Sequence, residues 1–476
     1  MSEESAGPRE DALTRRKLVE RSLAAAGALG LGSLAAACGA GEEAGSAEAN
    51  PAAPAETASF AGPLRVLGIG TEDPLKDAAE KDLGFGLVLD VVDPLTLAQR
   101  VETQPDSFDV VDIFSHFDSL WSTGNLQPLE IARIDRWGEV SPLVKYGKIG
   151  SAAERCTYGE GDAPFRKLYI DPAQTGTWKS SPDTVPTLDG IMVEWVDEAS
   201  GQVVGDEPRF CSSAPGLIGM DSVGYNSDVA QLEPEEVSWV ELLNPKWRGR
   251  VALANFPDIN MIEVGIAARK LGLMTFGNLG NPTRDEIDGF LKLLLELQKK
   301  EHFRAFWSDP IRSLELMSSG EVVVESMWYP IVATLQAQGF PVRYAAPAEG
   351  YRGWSQGIAL SATVTDPATL QACYDYINWW YSGPAGAIMM RTGYYTAVQE
   401  TSRAFAEPGE YAYWIEGRPA DKDYAGPFGE VSLRKGHVRE GGSFEQRACR
   451  VSAWNSIFDE GPYLFERWAE LVAPLS

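Results

Sequence analysis

Five cysteines and three histidines are the side chains of this 476-residue chain best suited to nucleophilic or metal chemistry, and their spacing argues against both. His116, His302 and His437 stand far apart, and no Cys-x-x-Cys or Cys/His cluster of ligand spacing occurs, so no structural zinc site is expected. A His-Glu-x-x-His helix and a kinase-like set are both missing. Gly68-x-Gly70 is only part of a dinucleotide fingerprint and reads as a tight strand-to-helix turn. Among 68 acidic residues a carboxylate pair is available, and a secreted enzyme built on such a pair stands as an alternative reading.

Thr14-Arg15-Arg16-Lys17-Leu18-Val19 precedes a small-and-apolar run, Leu23 to Ala37, that ends at Cys38. Its fifteen residues fall short of the roughly 20 that a spanning helix needs. The order basic, apolar, small is that of an export signal. The adjacent arginines resemble the signal of the Tat pathway, which carries folded proteins, and Leu34-Ala35-Ala36-Ala37-Cys38 resembles a lipobox with Cys38 as the acylated residue. From Gly39 to about Ala61 the chain is Ala, Glu, Gly, Pro and Ser, too poor in large apolar groups to bury anything, and reads as a flexible tether. The segment removed with the signal holds five basic and five acidic residues, so the remainder keeps the full charge of −27. That acidity argues against nucleic acid as a partner, since neutralising phosphates needs a basic face.

With Cys38 assigned to lipid, Cys156, Cys211, Cys373 and Cys449 remain, an even count that permits two disulfides in an oxidising compartment. Chain order favours Cys156–Cys211 and Cys373–Cys449. Against the second pair, Leu370, Cys373, Tyr374 and Ile377 repeat at helical spacing after Asp366-Pro367, which would make Cys373 core.

These groups need a scaffold, and at 44% hydrophobic content the chain has material for two lobes with real cores. Short apolar runs at Leu64–Gly70, Gly86–Val92 and Phe108–Phe114, separated by helix-like segments, imply a mostly parallel sheet. About Lys145–Glu207 breaks the rhythm and reads as a surface insertion with a hairpin turning at Ser200-Gly201. Alternation resumes with "RGRVALANF" as a strand, "MIEVGIAARKLG" as a helix, Thr283-Arg284-Asp285-Glu286 as a capping box and "GEVVVESMW" as a strand, which makes a second α/β lobe.

Five stretches carry a resemblance: "FDVVDIFSHFDSLWSTGNLQPLE", "SAPGLIGMDSVGYNSD", "VSWVELLNPKWRGRVALAN", "GEVVVESMWYP" and "GWSQGIALSATVTDPATLQACYDYINWWYSGPAGAIMMRTGYYTAV". In this order they resemble the spermidine/putrescine-binding proteins of ABC importers, within the periplasmic extracellular solute-binding proteins. The resemblance covers roughly Leu64–Val144 and Ser212–Val398. It implies an α/β, two-lobed type II periplasmic-binding-protein fold that closes on its ligand by hinge motion. Residues 62–211 and 355–402 would form lobe 1 and 212–354 lobe 2, with the export signal at 1–37, the tether at 38–61 and a C-terminal extension at 403–476 packing on the lobes. Ser213–Leu217 and the stretch around Gly353–Gln356 would be the two crossovers. It further implies a monomer working with a permease and its ATPase, outside the cytoplasm and moored through the lipid, without a cofactor.

The resemblance also nominates ligand contacts. Trp328 matches a ring-stacking tryptophan, Trp354 the second-crossover tryptophan, and His116, after Ser115, an aromatic contact in the first lobe. Gln356 stands where the family has an acid, Asp258 is the one acid kept near Asn255–Asp258, and Glu72 lies where an aromatic cluster is missing. Asp221 is an added acid, and Asp112 and Glu325 lie in strands expected to approach the cleft. A polyamine needs several acids as well as rings, because desolvating an ammonium costs several kcal/mol and a ring returns about 0.5–2. The departures therefore lean toward an amine or amino-acid-derived solute as much as a polyamine. In the tail, Ser443, Glu445 and Arg447 are candidates for the cleft mouth, Arg447 favouring a carboxylate. Tyr394-Tyr395 keeps a ferric-iron receptor as a further alternative.

Overall fold

The computed structural model describes residues 60–68, 73–92, 94–113, 120–121, 123–146, 159–161, 168–171, 205–426, 431–455 and 459–472. The export signal with Cys38, the residues Glu72, Ser115, His116 and Cys156, and the hairpin expected around Ser200-Gly201 lie outside them.

Strands β1 (Leu64–Gly68), β2 (Leu87–Val91) and β3 (Val110–Ile113) pair in parallel in the order β2-β1-β3, as the apolar runs required. Helices α1 (Asp73–Leu83) and α2 (Pro94–Thr103) make the crossovers. The chain leaves this lobe along β4 (Ala214–Asn226), whose thirteen residues are all buried. In the second lobe β5 (Val251–Ala254) lies between β6 (Phe303–Trp307) and β7 (Val324–Met327), parallel to both, and β7 runs antiparallel to β4. Helices on both faces explain why every residue of β5 and β7 is buried.

Those helices are α3 (Pro257–Lys270), α4 (Arg284–Lys299), α5 (Pro310–Ser318) and α6 (Tyr329–Ala337). The core helix α3 buries twelve of its fourteen residues. Thr283 and Glu286 close the expected capping box on α4. After β8 (Val342–Tyr344), β9 (Tyr351–Ser361) carries the chain back, antiparallel to β4 on one side and to β3 on the other. The result is one curled sheet through both lobes, in the order β6-β5-β7-β4-β9-β3-β1-β2.

Helices α7 (Pro367–Ser382) and α8 (Pro384–Met390) cover lobe 1, and β10 (Tyr395–Thr396) pairs with β4. Cys373 is buried there and free, the core role its spacing allowed, and Cys211 is also a buried free thiol. Neither expected disulfide forms. Cys449 is disulfide-bonded. The tail adds α9 (Phe444–Ala448), β11 (Val451–Trp454), which pairs in parallel with β9, and α10 (Gly461–Val472) against α3 and α4. Among the described residues no helix is long and apolar enough to cross a membrane.

Candidate functional site

The two long strands cross between the lobes side by side, with Arg352 opposite Asp221, Trp354 opposite Gly219 and Gln356 opposite Leu217. Strand periodicity sets Arg352, Trp354 and Gln356 on one face of β9. The Arg352 guanidinium donates to Asp221 Oδ2 at 2.6 Å and, through Nε, to Glu263 Oε1 of α3 at 2.9 Å. All three side chains are buried, and the Trp354 indole N–H donates to the same Asp221 oxygen at 2.8 Å. The Tyr344 hydroxyl donates to Met327 O at 2.9 Å, accepts from Ser222 N at 2.6 Å and stands 3.4 Å from Asp221.

Burial pushes the Asp221 carboxyl above its ordinary range while Arg352 and the Trp354 hydrogen bond pull it down. Burial likewise lifts Glu263 to about 7 against the pull of Arg352. Asp221 is thus bonded inside the protein, and it holds the Trp354 indole in place. The Trp354 ring packs against Gly219, where an added Cβ would stand 2.0 Å from Cε2, and Tyr394 meets it edge-on at 4.9 Å. Gly219→Ala is therefore expected to lift the indole off Asp221. If the ring stacks on a cationic solute, Kd rises about tenfold, which ligand-dependent melting would show.

The second-lobe wall is built where β5 and β7 end. Trp328, the N-cap of α6, packs against Trp307 (5.1 Å) and Phe256 (5.8 Å), and Phe256 is the N-cap of α3. Neither aromatic N-cap offers a side-chain acceptor. Asp258, in the first turn of α3, accepts from Asn455 Nδ2 at 3.1 Å. Asn255 donates to Ser308 Oγ at 3.0 Å and accepts from Trp468 at 2.8 Å. The structure thus brings Trp354, Gln356 and Asp221 together on the crossovers, and Trp328 and Asp258 on the lobe-2 wall. Glu72 follows β1 and Ser115 and His116 follow β3 in the chain, outside the described residues.

Three expectations need correction. Glu325 is fully buried below α5, beside Ser313 and Arg312, and burial holds its carboxyl well above the ordinary range, so it faces lobe-2 interior. Arg447 is fully buried too, donating to Glu440 Oε1 (2.9 Å) and to Met220 O (2.9 Å), which pins the tail to β4. Ser443 is spent as the N-cap of α9. Asp112 is buried within β3. The adjacent phenols face different neighbours, Tyr394 meeting Trp354 and Tyr395 meeting Phe444.

Sequence reasoning missed Arg352, Glu263 and Asn455. Arg352 had a signal, standing two residues before Trp354 on a strand. Glu263 had another, as the acid inside the apolar run "MIEVGIAA", a helix so thoroughly buried that the acid had to find a partner.

Comparison with known proteins supports the same architecture. Solved structures with this fold include a putative spermidine/putrescine ABC transporter from Listeria monocytogenes (12% identity, 86% of this chain and 99% of that one, TM-score 0.55). Others are the Tp0655 (TpPotD) lipoprotein of Treponema pallidum (11%, 86% and 98%, TM-score 0.53) and the PBP AgtB of A. tumefaciens R10 in complex with agropinic acid (12%, 87% and 99%, TM-score 0.51). No curated protein sequence matches the chain. The pattern of the bacterial extracellular solute-binding proteins matches residues 173–412, half of the sequence. The chain belongs to that family.

Proposed function

We propose that the protein is the solute receptor of an ABC importer. It captures a small polar solute, polyamine-like, amine or amino-acid-derived, between its lobes and hands it to a permease driven by an ATPase. The observation that carries this reading is the pair of crossover strands β4 and β9, running side by side between two lobes with the Trp354 indole held on them by Asp221. A ligand touching both lobes stabilises the closed arrangement, and a permease can then tell loaded from empty receptor.

Residues 62–211 with 355–402 would move against 212–354. Trp354, Trp328, Gln356 and Asp258 would contact the solute, with Glu72, Ser115 and His116 supplying the lobe-1 side. Cys38, lipidated after Tat export, and the stretch to residue 61 would moor the receptor at the membrane. AgtB, described in complex with agropinic acid, and the Listeria protein, described as a spermidine/putrescine transporter, mark the range of solutes to try.

Melting curves of the protein against amines, amino acids, phosphonates and sugars test the proposal. A true ligand at 100 times its Kd adds about 2.7 kcal/mol of stability. Stabilisation by an amine is expected, and a shift only with amine-free anions or sugars would overturn the amine assignment.

A further inference from the structure

The C-terminal segment carries a side chain whose bonding is half used. Asn455 follows β11, and its backbone N–H donates to Gly353 O at 2.7 Å, which sets it beside Trp354. From there its side chain reaches the lobe-2 wall, where Nδ2 donates to Asp258 Oδ2. A carboxylate only accepts, so the amide presents its NH2 to Asp258 and leaves its carbonyl oxygen to another donor. That oxygen, Oδ1, belongs to a residue 6% exposed and has no hydrogen-bond partner among the described residues. A bare acceptor inside a protein costs free energy unless something occupies it.

The surroundings say what that something is. Asp258 supplies a carboxylate at the same amide, 3.1 Å from its Nδ2, in the first turn of α3. Trp354 stands on one side along the crossover, and Phe256, which packs on Trp328, caps the same helix. An unpaired carbonyl oxygen and a carboxylate flanked by aromatic rings complement a group that carries positive charge and only donates hydrogens, which is a primary ammonium. We propose that Asn455 Oδ1 and the Asp258 carboxylate together receive the ammonium of the solute. The tail, which lies beyond the family-matched residues 173–412, then contributes directly to specificity. This inference rests on the receptor reading above and adds a residue that no part of the family core provides.

The test titrates putrescine, spermidine and 4-aminobutyrate, with butyrate and 1,4-butanediol as amine-free controls, into the wild-type protein, Asn455→Leu and Asn455→Asp. The wild type is expected to bind at least one amine and neither control. Asn455→Leu matches the size and removes both the acceptor and the hydrogen bond to Asp258, so that amine should bind about tenfold or more weakly, with the unliganded melting temperature lowered by the loss of that bond. Asn455→Asp keeps the shape and the acceptor and adds a charge, so it should retain the amine and shift preference toward putrescine over 4-aminobutyrate. Should the leucine variant fail to fold, the aspartate variant decides alone through that shift.

An amine bound equally well by the wild type and Asn455→Leu, or an unshifted preference in Asn455→Asp, overturns the role of Asn455 and leaves the receptor reading standing. A wild-type protein that binds none of the amines overturns both.

Discussion

Arg352→Met is expected to destabilise the protein by about 3–5 kcal/mol at pH 8, read from urea denaturation. The guanidinium is 2% exposed and stands between two buried carboxylates, Asp221 and Glu263. Methionine fills much of the same volume, so the cost is electrostatic: two desolvated acids lose the only cation that both touch among the described residues. They can escape by taking up protons, so the same substitution should cost less at pH 5. The pH dependence separates this mechanism from simple loss of packing, which would cost the same at both. Because Trp354 hangs on Asp221, the variant should also lose affinity for the solute. A loss below about 1 kcal/mol at both pH values, the scale of an exposed pair, would contradict the buried triad.

The second large effect is the pH dependence of stability itself. Burial raises the folded-state carboxyl of Glu263 from 4.5 to about 7. Between those values the folded protein holds a proton that the unfolded chain has released, so stability falls as pH rises. The window runs from about pH 4.5 to 7, and the shift corresponds to roughly 3 kcal/mol. Asp221 and Glu325 shift in the same direction and steepen the slope. Glu263→Gln should therefore be less stable than wild type by little or nothing at pH 5 and more stable relative to it by pH 8. Parallel wild-type and variant profiles of unfolding free energy against pH would show that Glu263 is ionised throughout.

The crossovers and both lobes were legible because apolar runs and turn residues repeat with strand and helix spacing. The faces of the strands were harder to read. In β7, Val-Glu-Ser-Met is buried on both sides, so alternation no longer tells the cleft from the interior, and Glu325 was assigned to the wrong one. Asp221 was recognisable as an acid in the first-crossover stretch, but its partner Arg352 lies 131 residues away in sequence. The cysteines show the limit of counting: an even number permits pairs without saying which are neighbours. Asn455 had no signal at all. It follows a strand whose partner is set only when the tail lies against β9.

The central claim is that a small amine is held between the lobes against Trp354. Calorimetric titration of putrescine, spermidine and 4-aminobutyrate into the wild-type protein and into Trp354→Ala tests it most directly. Saturable one-to-one binding of at least one of them, weakened about tenfold or more in the variant, is the predicted result. No saturable heat from any of the three, or equal affinity in both proteins, would contradict it.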